Sequence, residues 1–193
     1  MKFIFVISFI LCSVFASAQE ISTFKISKGD ILIYDVRNKG DLYYYRIMVQ
    51  EVGSKTVYEW EMDEPKNKKG SVEIKGKAMS SSMKMVTKVK PDNHLLLEDA
   101  TIVWISKTLL KTLNNTLQAE MEIDGVPNNK MTVLQKTTQT IIYKGTPTRV
   151  EVLDVSNQLK FFDLRQFWVM NNPDNPLITK LNMGFTVELI EIR

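Results

Sequence analysis

Tyr58-Glu59-Trp60-Glu61-Met62 sets three large apolar side chains against two carboxylates in strict alternation. A period of two places Tyr58, Trp60 and Met62 on one face of a strand and the acids on the other, the pattern of a half-buried sheet. The same period runs outward in both directions. Val72 and Ile74 alternate with Glu73, Lys75 and Lys77, and Met83 and Met85 flank Lys84. Further on, Leu117, Ala119, Met121 and Ile123 alternate with Gln118, Glu120 and Glu122, Val150 and Val152 with Arg149 and Glu151, and Phe185, Val187 and Leu189 with Thr186 and Glu188. Turn signals separate these runs: Asn38-Lys39-Gly40-Asp41, Gly53-Ser54, Asp124-Gly125-Val126-Pro127 and Asn171-Asn172-Pro173-Asp174-Asn175-Pro176. Short strands with short connections predict a mainly β fold, a curved antiparallel sheet of about nine to eleven strands in a half-barrel or open-barrel meander.

One segment departs from the period. After the strand-like Ile102-Val103-Trp104-Ile105, the run Ser106 to Asn114 puts Leu109, Leu110 and Leu113 on one helical face. Ser106 can accept a first-turn amide and Asn114 or Asn115 can end the helix in a left-handed conformation. This is expected to be the one helix of the mature chain, covering an open face or end of the sheet. The triplet Ser80-Ser81-Ser82 reads as a bulge or bend within a strand-like stretch.

The chain opens on Lys2, an apolar run from Phe3 to Phe15, and Ala16-Ser17-Ala18 before Gln19-Glu20. A basic start, an apolar core too short to span a bilayer and small residues before the cut make residues 1–18 a cleaved signal peptide. Residues 19–193 then form a single β-rich domain, exported to the periplasm or the extracellular space, with no transmembrane span after cleavage. Cys12 is the only cysteine and leaves with the signal, and Leu11 before it argues against a lipoprotein signal. The mature chain therefore has no disulfide or thiol chemistry and relies on a packed core.

Charge points to no polyanion. The formal net charge is +3, and the lysines stand mostly singly between apolar residues. The densest cluster, Lys66-Asn67-Lys68-Lys69, reads as a polar hairpin loop begun by Pro65. Nucleic-acid binding would require a basic stripe interleaved with exposed aromatics, so no nucleic-acid partner is expected.

Catalytic patterns are equally thin. His94 is the only histidine and follows the turn signal Pro91-Asp92-Asn93, which places it on the surface where a strand begins. No nucleophile elbow accompanies it, and one histidine without thiols cannot build a zinc site. Ser81-Ser82-Met83-Lys84 has the serine and lysine spacing of penicillin-recognising enzymes, but that chemistry needs the serine at a helix start, and the partner motifs are missing. Asp63-Glu64 and Glu98-Asp99 are adjacent acids that diverge in a strand or loop. No enzymatic activity, cofactor or metal is expected.

What remains is apolar surface. In Tyr43-Tyr44-Tyr45 the outer rings share a face and Tyr44 takes the other, and Phe161-Phe162 and Phe167-Trp168 also alternate. Strands apolar on both faces need a cover or offer a ligand surface, and methionines supply adaptable lining.

The segments Lys28-Gly29-Asp30-Ile31-Leu32-Ile33-Tyr34-Asp35, Thr101 to Ser106, Asn172 to Ile178, and Gly184 to Leu189 together resemble the TapB-like family, a group of uncharacterised secreted bacterial proteins common in Bacteroidetes. The resemblance spans most of the mature chain, rests on strand and turn motifs, and carries over no functional residue. It implies an outline similar to the lipoprotein carriers LolA and LolB, in which a curved antiparallel sheet wraps around helices and leaves an apolar cavity. This chain departs from that outline in offering one short helix.

The expectation is a non-enzymatic exported protein that binds a lipid, an acyl chain or a lipoprotein tail. Alternation nominates Tyr43, Tyr45, Trp60, Met83, Met85, Trp104, Leu109 and Leu113 as lining, with the helix as plug or lid. The alternative is a structural protein with a filled core that binds an envelope protein as partner.

Overall fold

The computed structural model describes residues 24–64, 66–157 and 164–193. The expected signal segment with Cys12, the turn residue Pro65, and Phe161-Phe162 lie outside them.

The described residues form one large curved, mainly β sheet of twelve strands with two helices. Strands β1 (Ile31–Asn38), β2 (Asp41–Glu51), β3 (Thr56–Met62) and β4 (Lys68–Ile74) make an antiparallel meander. The first turn is tight because Lys39 and Gly40 both take positive φ, 51° and 91°, the geometry that matches the twist of a two-residue hairpin. Helix α1 (Gly76–Ser81) then leads to the two-residue β5 (Lys84–Met85), and the chain returns to β6 (His94–Leu97), parallel to β4. Helix α2 (Lys107–Thr116) follows. Strands β7 (Gln118–Ile123), β8 (Val126–Tyr143), β9 (Thr146–Ser156), β10 (Gln166–Met170), β11 (Ile178–Asn182) and β12 (Thr186–Ile192) complete the sheet.

Whether the sheet is open or closed has a two-part answer. One edge of β12 is shared: Thr186 to Glu188 pair with β11, and Glu191 and Ile192 pair in parallel with Ile142 and Tyr143 of β8. Strands β8 to β12 thereby join into a hydrogen-bonded ring. The other edge of β12 holds β1, from which β2, β3, β4 and β6 continue as an open wing. The closure is reinforced where Phe24 stacks on Tyr143 at 4.4 Å and Lys144 reaches Asp30 at 3.3 Å.

The apolar residues form two clusters. In the first, Leu32, Tyr34, Tyr45, Ile47, Tyr58, Trp60 and Val72 from the wing meet Val150, Val152 and Met170. The second gathers Leu109, Leu110 and Leu113 of α2 with Met121, Ile123, Met131, Leu153, Val155, Phe167 and Val169. Strands β9 and β10 are buried on both faces because their alternate residues go to different clusters.

Three local expectations are corrected. The serine triplet is not a strand bulge: Ser80 and Ser81 end a second helix, and Ser82 caps it with its amide on the Ala78 carbonyl. With Ala78 buried and Met79 half-buried on one short turn, the segment is too brief to show a helical period in sequence. Ile102 to Ile105 does not form a strand, because Val103 takes φ 66° and turns the chain, leaving Trp104 with a single bridge to Leu177. Helix α2 begins as expected, with Ser106 accepting from the Leu109 amide at 3.0 Å, but does not end at Asn114 or Asn115. Asn114 instead donates to Asn171 at 2.7 Å, and Leu117 takes the left-handed cap at φ 58°. Leu117 is consequently exposed and drops out of the alternation that Ala119, Met121 and Ile123 keep.

Candidate functional site

A cavity of about 550 Å³ lies against the apolar face of the wing. Its floor is aromatic. Tyr34, Tyr45 and Trp60 come from three adjacent strands, with ring centroids 6.2 Å apart for Tyr34 and Tyr45 and 5.7 Å for Tyr45 and Trp60. Trp60 can lie down only because its cross-strand partner is Gly70, where an added Cβ would come within 2.9 Å of the indole. The Tyr34 hydroxyl donates to the Ile178 carbonyl at 3.1 Å and ties the floor to β11. Burial pushes the Tyr34 and Tyr45 hydroxyls well above the ordinary tyrosine range, so both stay neutral and the floor carries no charge.

The second wall comes from Ile178, Leu181, Phe185 and Val187 of β11, β12 and the turn between them. The third is a strap, Val86 to Pro91, laid between β5 and β6. It is pinned at both ends. The Val86 amide donates to the Thr101 carbonyl at 2.9 Å, and Thr87 donates to the Asp124 carboxylate through its amide at 2.7 Å and its hydroxyl at 2.6 Å. At the far end the Asp92 amide donates to the Lys69 carbonyl at 2.8 Å. Asp124 belongs to the hairpin turn between β7 and β8, so a residue read from sequence as turn chemistry also anchors the strap.

Three lysines are among the residues that line the cavity. Lys66 and Lys68, at the β3–β4 turn, and Lys88 of the strap line it together with Asn38 and Tyr43. The Lys66 ammonium sits 2.7 Å from the Asp41 carboxylate and 5.7 Å from the Tyr43 ring centre. The hydrogen bond to Asp41 holds Lys66 above the ordinary lysine range. Burial raises the Tyr43 hydroxyl, with Lys66 opposing.

Of the eight nominated residues, the structure brings four to this cavity: Tyr43, Tyr45, Trp60 and Met85. Trp104 is buried in the first cluster beside Tyr58, at 5.7 Å between ring centres, and does not reach the cavity. Leu109 and Leu113 are buried in the second cluster, so α2 is a packed plug there and not a lid over the cavity. Met83 lines a smaller pocket of about 230 Å³ with Ala78, Lys84 and Asp99. Sequence reasoning missed Tyr34 and Val36, although both alternate with Asp35, and the strap valines Val86 and Val89, which no period distinguishes from loop.

The other motifs are accounted for locally. His94 is exposed at the first residue of β6, its Nδ1 2.9 Å from the Ser71 hydroxyl. Ser81 and Ser82 stand at the end of a helix, not its start, and Lys84 is held by Asp99 at 2.7 Å. Asp63 engages Arg46 through both carboxylate oxygens. Among the described residues, no group of three or more His, Cys, Asp or Glu side chains gathers as a metal site would need, and no helix is long and apolar enough to cross a membrane.

A scan against protein-family models finds no match to this chain, and searches of the curated proteins and of the solved structures find none either. The geometry of the cavity is therefore what bears on function.

Proposed function

We propose that this is an exported, non-enzymatic protein that holds an apolar ligand, a lipid or acyl chain of the cell envelope, in the cavity between the wing and the strap. The observation that carries this reading is the cavity of about 550 Å³ with a neutral aromatic floor. That volume falls within the ~300–1,000 Å³ of small-molecule sites, and an apolar lining with a few polar groups is their usual composition. The leader-like start, Lys2 followed by the apolar run to Phe15, supports export. Chain transfer from water into the cavity would gain about 0.8 kcal/mol for each buried methylene, enough for retention through purification.

Native mass spectrometry of the mature protein purified from its own envelope fraction, followed by organic extraction, tests the reading. The expected result is one lipid per protein, lost in a Val187→Trp variant that fills the cavity. An apo mass together with failure to take up an apolar dye would overturn it in favour of a filled-core protein that binds a protein partner.

A further inference from the structure

We propose that the cavity selects an anionic amphiphile: a single acyl chain whose negatively charged head is held by Lys68 and Lys88. This inference deepens the reading above and rests on it. The charge in the cavity's lining is all of one sign. Three lysines line the cavity and no aspartate or glutamate does. Lys66 is already neutralised by Asp41 at 2.7 Å. Lys68 and Lys88 form no ion pair among the described residues, and both are exposed. Unpaired lysines such as Lys77 and Lys130 also occur elsewhere on the surface, so what distinguishes Lys68 and Lys88 is their place in the lining of an apolar cavity that holds no carboxylate.

The two free ammonium groups also approach from different elements. Lys68 starts β4, opposite Met62 in the hairpin, while Lys88 belongs to the strap, whose far end is fixed to β4 by the Asp92 amide on the Lys69 carbonyl at 2.8 Å. Both line the cavity, Lys68 from the start of β4 and Lys88 from the strap that covers the wing, while Trp60 and Ile178 of the same lining are buried. Glu64 and Asp92 lie on the adjoining turns but do not line it. A ligand with its chain on the aromatic floor could turn its head to these ammonium groups, where a carboxylate, sulfate or phosphate would receive charge-assisted hydrogen bonds. A neutral head would receive none of that charge, and a cationic head would be repelled.

The test uses delipidated mature protein and two probes of equal chain length, palmitate and hexadecanol, each titrated by displacement of a bound apolar dye. Palmitate is expected to bind about tenfold tighter, the gain of two exposed ion pairs, with the margin shrinking as salt is raised. In Lys68→Gln/Lys88→Gln the palmitate advantage disappears while hexadecanol affinity is unchanged, and in Lys68→Glu/Lys88→Glu the preference turns to hexadecyltrimethylammonium. Equal affinity for palmitate and hexadecanol, insensitive to both variants, would overturn the charge selection while leaving the apolar site standing. Failure of all three probes to displace the dye, or of the dye to bind, would overturn both.

Discussion

The two apolar clusters of this protein are covered by different means. The cluster formed by β7 to β11 is closed by α2, a capped helix that lowers three leucines among methionines and branched side chains. The wing receives only the short α1, through Ala78 and Met79, and over the cavity the cover is the strap, whose half-buried Val86 and Val89 carry little area and whose hold depends on anchors at Thr87 and Asp92. A helix brings a ridge of side chains every turn and fills the space above a sheet, whereas an extended segment contributes alternate residues only. The difference teaches that one continuous sheet can carry a filled half and a half that keeps a cavity, according to what the connecting segments lay upon it.

The sharpest way to break this contrast is to attack the plug. Leu113 is fully buried, at 0% exposure, so Leu113→Glu is expected to abolish the folded state, since a carboxylate there has no partner. The milder Leu113→Ala should destabilise by about 2–5 kcal/mol, whereas Val89→Ala on the strap should change stability by less than about 1 kcal/mol. Urea unfolding followed by circular dichroism reads both. Equal effects would mean that the strap is as much core as the helix and that the contrast is false.

Next in size is Gly70→Ala. The new methyl would stand 2.9 Å from the Trp60 indole, which has to move, and its free direction is toward the cavity it lines. Overpacking of this kind costs about 1–3 kcal/mol. The expected outcome couples two readouts: a lower urea midpoint and a weaker uptake of apolar dye, with a changed Trp60 emission. Loss of stability with undiminished uptake would show that the indole yields elsewhere and that Gly70 does not set the cavity's floor.

How much of this was legible in the sequence follows from the same physics. The wing was readable because Tyr58, Trp60, Val72 and Ile74 obey a two-residue period with charged neighbours, and each is buried. Helix α2 was readable because its cap and its three leucines lie within ten residues of one another. Tyr43, Tyr45 and Trp60 could be placed on one apolar face, but the face does not reveal what covers it. That depends on contacts distant in sequence: Thr87 with Asp124, Asp92 with Lys69, and Tyr34 with Ile178. For the same reason the sequence places Leu109 and Leu113 at the cavity, since amphipathicity says that a face is buried and not against which cluster. The turn at Val103 was hidden because a β-branched residue rarely takes positive φ, and Val-Trp-Ile reads as strand. Closure of the ring rests on a pairing of only two residues in β8 and β12, too short to leave a pattern.

The smallest expected effect separates the two halves by acid. Glu73 of β4 faces Lys75 at 2.6 Å and Lys55 at 3.5 Å, and the hydrogen bond to Lys75 is the main reason that its carboxyl lies below the ordinary value of 4.5. A carboxylate depressed in the folded state stabilises fully above its unfolded value, and that contribution is lost as pH falls through the lower, folded value. The group is solvated, so the loss is modest and shrinks with added salt. Helix α2 itself, Lys107–Thr116, carries no aspartate or glutamate whose protonation would touch it directly. At acidic pH the protection of amides against hydrogen exchange, relative to their intrinsic rates, should therefore fall first at the β3–β4 pairing, with the α2 amides still protected. Glu73→Gln should remove that difference between neutral and acidic pH. If α2 loosens first or together with β4, the wing is not the weaker half, and the strap and its anchors hold more tightly than their few contacts imply.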